Sequence, residues 1–207
     1  KNMKERKKWV EKNKKILQFV FLMAVALVYP VFKSSSQFLL TYAVAGIISL
    51  LYFLPFSNLR SIPFLKSFIV GLVWVLICAV APLEPDHINP QLIAFSISQL
   101  FFITALCVLF NIRDVEHDRI TSTFTIPVIY GVKAARIFAL ALLLGYLIAC
   151  YFTDPALNYM LVSLLIFSLS CAFTLGSSAH RHPFYYLYGV DGLILVQGGL
   201  GLLFLNH

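Results

Sequence analysis

The stretch from Gln91 to Phe110 reads Q-L-I-A-F-S-I-S-Q-L-F-F-I-T-A-L-C-V-L-F, without a single charge. Its length is that of a helix crossing a hydrocarbon core of about 30 Å, which takes about 20 residues. Lipid gives backbone N–H and C=O groups no partners, so a chain that crosses it is either helical or a closed barrel. Here apolar and polar side chains do not alternate with period 2, and helix is selected.

Outward from this run, six more apolar stretches cover residues 16 to 32, 37 to 56, 67 to 83, 133 to 152, 156 to 176 and 185 to 205. Each is bounded by charged residues, Pro, Ser or Asn, which mark the ends of membrane helices. The composition agrees: 60% of residues are hydrophobic and 12% charged, against roughly half and a quarter in soluble domains. The mean hydropathy is +0.86. The expected fold is all-α, a polytopic transmembrane helical bundle of about seven helices. Residues 1–15 form a basic cytoplasmic arm and residues 16–207 a single transmembrane domain.

Lys and Arg fix the expected orientation. If the runs alternate across the membrane, fifteen of the sixteen basic residues fall on the N-terminal side, and only Lys33 on the other. The positive-inside rule then places the N-terminus in the cytoplasm and the C-terminus outside. A formal net charge of +7 raises nucleic acid as a partner, but eight basic residues lie in the first fifteen positions. That arm suits anionic lipid headgroups, and no nucleic acid is expected. Cys78, Cys107, Cys150 and Cys171 each sit in an apolar run without metal-ligand spacing and read as small packing residues. The chain opens on Lys1 and reads as part of a longer protein.

The segment most informative about chemistry is N-I-R-D-V-E-H-D-R, Asn111 to Arg119. Asp114 and Asp118 are four apart, so on a continuous helix they share one face within reach of a common cation. Mg²⁺ takes one or two carboxylates together with phosphate oxygens and water, and flanking Arg113 and Arg119 complete a candidate diphosphate clamp. The alternative is a solvated loop whose acids pair with its own arginines. Glu116 and His117 lie on another face and read as solvent-facing.

The run D-V-E-H-D-R, followed by T-I-P-V-I-Y-G-V-K-A-A-R, resembles the second aspartate-rich motif of the UbiA-type intramembrane prenyltransferases, D-x-x-x-D before a Thr/Leu-Pro-x-x-x-G segment. The stretch Y-F-L-P-F-S-N-L-R-S-I-P-F-L-K-S-F, Tyr52 to Phe68, resembles that family's central cytoplasmic loop. The resemblance implies that the seven helices are the third to ninth of nine, in a multi-pass protein of a bacterial-type cytoplasmic membrane. It also implies Mg²⁺-dependent transfer of an isoprenyl group from its diphosphate to a lipophilic acceptor, commonly an aromatic quinone precursor. Asp114 and Asp118 would then hold Mg²⁺, and Lys66, Arg60 and Arg113 would neutralise the leaving group. Tyr52, Phe53, Trp74 and Tyr130 are candidate aromatic faces toward an allylic cation. The family's first motif, N-D-x-x-D-x-x-x-D, has no counterpart, because the chain opens K-N-M-K-E-R-K-K-W-V-E-K-N-K-K. It either lies upstream or was lost.

Asp191 stands inside the last apolar run, where an ionisable group has to face protein, water or an ion. It is a secondary site candidate, or else a helix-to-helix hydrogen-bonding group with a partner such as Tyr188. His180 and His182 read as a solvated turn, and Gly198, Gly199 and Gly201 as close-packing positions. The competing function is a non-catalytic membrane protein that binds lipid or scaffolds a partner.

Overall fold

The computed structural model describes residues 11, 13, 14, 16, 18, 36–53, 62–81, 89–121 and 123–204. Among these, the regular elements are all helices. Most of the expected run 16 to 32 and of the basic arm lies outside the described residues, as does Arg60.

In chain order the helices are α1 (Ser36–Phe53), α2 (Leu65–Val75, continued by a π turn Leu76–Val80), α3 (Pro90–Arg113), α4 (Val115–Ile120), α5 (Ile126–Ile129), α6 (Gly131–Thr153), α7 (Leu157–Gly176) and α8 (Gly192–Phe204, preceded by a π turn Tyr185–Val190). Among the described residues, three helices are long and apolar enough to cross a membrane: α3, α6 and α7. Leu40–Tyr52 and Leu65–Val80 are shorter apolar helices.

The helix α3 begins cleanly because Asn89 Oδ1 accepts the Leu92 N–H at 2.7 Å and Pro90 occupies the first turn, where its missing N–H costs nothing. It is the axis of the bundle: Phe102 to Leu106, Val108, Leu109 and Ile112 are all buried. The partner with which it packs most extensively is α6. On α6 the buried residues Ala135, Ala139, Leu143, Tyr146 and Cys150 recur at helical spacing, a stripe whose small residues let the two backbones approach. The stripe of α7 is Ser163, Ile166, Ser170 and Thr174. Ser170 and Thr174 hydroxyls donate to carbonyls four residues back, at 2.7 and 2.8 Å, so neither is left unpaired in an apolar setting. Leucines of the other face, Leu157, Leu161, Leu164 and Leu175, are exposed, as lipid-facing side chains are.

The connection from α3 to α6 carries the segment of interest. At Asp114 the backbone leaves the helix (φ −92°, ψ 9°), α4 and α5 follow, and Gly131 then takes φ +84°. That left-handed turn, which glycine makes without a Cβ penalty, redirects the chain into α6.

Candidate site at the polar end of the bundle

Four tertiary links tie the helix ends together. Lys66, in the first turn of α2, reaches Asp118 on α4: Nζ donates to both carboxylate oxygens at 3.2 Å. Beside it, Asn111 Nδ2 donates to Ser67 Oγ at 2.8 Å, both residues being buried. Arg136, at the start of α6, donates to the Ser177 carbonyl at the end of α7. The Tyr186 hydroxyl donates to the Ser178 carbonyl at 2.8 Å and accepts the Ser178 N–H at 3.0 Å. The start of α2, the end of α3, the start of α6 and the approach to α8 therefore meet at one end of the bundle.

Asp118 has a side chain only 5% exposed, against 32% for Lys66. Burying a carboxylate is costly unless a cation and hydrogen bonds replace water. Lys66 supplies the charge, and Thr125 Oγ1 donates to Asp118 Oδ2 at 3.2 Å. Asp114 is more open and accepts from its neighbour Arg113, Nε at 2.7 Å and Nη2 at 2.9 Å. The same guanidinium lies over the rings of Phe110 and Tyr186, at 4.9 and 5.8 Å from their centroids. It also feels the charge of Asp191, which follows the π turn before α8.

Sequence spacing expected Asp114 and Asp118 to share one face of a continuous helix. The helix breaks at Asp114, and the two carboxylates rest on different cations, Arg113 and Lys66. Both nonetheless belong to one charged end, where Arg113 also interacts electrostatically with Asp191. Arg119 and Tyr130 are exposed and make no side-chain hydrogen bond among the described residues. Tyr52 is half-buried on the last turn of α1. Glu116, His117, His180 and His182 are exposed. Tyr188, the hydrogen-bonding partner suggested for Asp191, is exposed as well, and no hydrogen bond joins the two. Thr125, Ser67 and Asn111 went unselected from sequence. Asn111, an amide on the last turn of an apolar helix beside two acids, was the one signal available.

The donor chemistry fits Mg²⁺ in a limited way. No group of three or more His, Cys, Asp or Glu side chains that could hold a metal occurs among the described residues. Two carboxylates with adjacent cations suit a hard cation that arrives with phosphate oxygens filling its remaining positions.

A bundle of apolar helices with paired acids and bases gathered at one end defines an integral membrane protein with a charged site at its boundary. The chain belongs to the UbiA prenyltransferase family, whose model matches residues 11–185. Membership implies, in general terms, a membrane prenyltransferase. No curated protein and no solved structure matches the chain.

Proposed function

We propose that the chain transfers an isoprenyl group from its diphosphate to a lipophilic, aromatic acceptor of the quinone-precursor type, with Asp114, Asp118, Lys66 and Arg113 forming the diphosphate end. The observation that carries this reading is the pairing of each carboxylate with its own cation at the end of an apolar bundle. Lys66 and Arg113 are held ready for phosphate oxygens, and when they turn to them, Asp118 and Asp114 are released toward a metal. Mg²⁺, once bound, offsets phosphate charge and makes the diphosphate a better leaving group. The electrons of the breaking C–O bond leave with the diphosphate, so positive charge at that end lowers the barrier. Phe110, half-buried under the Arg113 guanidinium, offers a ring face at this end toward an allylic cation. Arg60, Arg119, Tyr52, Tyr130 and Asp191 remain candidates for substrate contacts. The basic count supports a multi-pass arrangement with this end on the cytoplasmic side of a bacterial-type membrane.

One observation favours a second reading, a non-catalytic member that binds lipid or scaffolds a partner: each carboxylate is already paired with a cation of the chain itself. The test is an assay in membranes with labelled prenyl diphosphates, Mg²⁺ or EDTA, and a panel of aromatic acceptors. Mg²⁺-dependent prenylated product supports the enzyme; no product with any donor and acceptor supports the scaffold.

A further inference from the structure

A cavity of about 240 Å³ lies between α3, α6, α7 and α8, well away from the charged end. Gln99 on α3 and Gln197 on α8 both line it, with Tyr146, Tyr159 and Ser163. Gln99 precedes Arg113 by fourteen residues, which at 1.5 Å per residue is about 21 Å along α3. Neither glutamine side chain makes a hydrogen bond to any described residue. Primary amides in a membrane interior carry a desolvation cost until something fills their two donors and two acceptor lone pairs. Of the hydroxyls on the wall, Tyr159 makes a long contact of 3.9 Å to Cys150 Sγ.

We infer that this cavity is a binding site for an uncharged lipophilic molecule whose head carries carbonyl or hydroxyl oxygens. Size permits it, since a cavity of about 150 Å³ already holds a benzene ring. The lining selects the class: amides and phenols match neutral oxygens, and among the described lining residues no charged side chain is present to offset an ionic head. Access is past Gly198, an exposed position of the cavity wall on α8. The site takes a neutral head in the membrane interior and is separate from the diphosphate end, so it stands without the proposed reaction.

Trp74 provides a reporter. It lines a smaller adjoining cavity that shares Phe95 and Gln99 with the first, and Trp9→Phe leaves it as the sole tryptophan. The experiment titrates decylbenzoquinone, whose ring quenches indole fluorescence, into the Trp9→Phe protein in detergent. Saturable quenching is expected. The Gln99→Leu, Gln197→Leu double variant should raise Kd about tenfold through loss of the amide hydrogen bonds. Excess Mg²⁺ and inorganic diphosphate should leave the affinity unchanged. Quenching that rises linearly without saturation, equal affinity in the glutamine variant, or displacement by diphosphate overturns the inference.

Discussion

Lys66 Nζ stands 3.2 Å from both carboxylate oxygens of Asp118, a contact that spans 52 residues and joins the first turn of α2 to α4. It holds the segment after α3 against the bundle, and it places a cation against a nearly buried carboxylate. The pair is thus a tether between helices and, in the proposed reaction, a cation waiting for phosphate.

Removing one partner exposes the difference between these roles. Lys66→Met leaves the Asp118 carboxylate buried and uncompensated, at a cost of about 1–3 kcal/mol, less than for a deeply buried pair because Lys66 is one-third exposed. Adding Asp118→Asn removes the stranded charge and should recover most of that stability. Prenyl transfer should stay down by roughly 100-fold in both variants, the scale of losing one charge-stabilising donor. Thermal unfolding in detergent, alongside turnover in membranes, checks both halves. Turnover restored together with stability would reduce the pair to a tether.

The approach of α2 to α3 depends on Gly71. A Cβ there would stand 2.5 Å from Thr104 Oγ1, and Thr104 Oγ1 is itself a buried hydroxyl without a partner among the described residues. Gly71→Ala should lower stability by about 1–3 kcal/mol through overpacking. Combining it with Thr104→Ala removes the clashing atom and should return at least half of the loss. Midpoints of thermal unfolding for the two singles and the double measure this coupling, and simple additivity would contradict it.

How far these features were legible depends on their range. The run Gln91 to Phe110 became α3, Pro90–Arg113, within three residues at either end, because length and apolarity are local properties. The last run, read as unbroken from 185 to 205, carries a π turn and a break at Asp191, features of backbone hydrogen bonding that apolarity does not report. Lys66 was read as lying just before an apolar run and sits in the first turn of α2. The Asp114 and Asp118 spacing marked the segment, and Asp114 pairs with its sequence neighbour Arg113 as the alternative reading allowed, whereas the Lys66–Asp118 pair spans 52 residues and is made by tertiary packing. The same holds for Asn111 with Ser67 and Asp118 with Thr125, whose partners no periodicity links.

The distribution of basic residues predicts sidedness. A cysteine at the exposed Glu116, introduced after the four native cysteines are replaced, should share its labelling side with one placed in the basic arm. Membrane-impermeant maleimide should reach both in inverted vesicles and neither in intact cells. Labelling of the two from opposite faces would refute the topology and separate the arm from the site.

The most direct measurement is equilibrium binding of an unreactive prenyl thiolodiphosphate, with and without Mg²⁺, to the wild type and to Asp114→Ala, Asp118→Ala and their double variant, with Glu116→Ala as an exposed control. Residues acting as one unit are strongly non-additive. Each single change should therefore weaken Mg²⁺-dependent binding by about 100-fold, the double by little more, and Glu116→Ala by less than about twofold. Wild-type, Mg²⁺-dependent binding in the double variant would contradict the account.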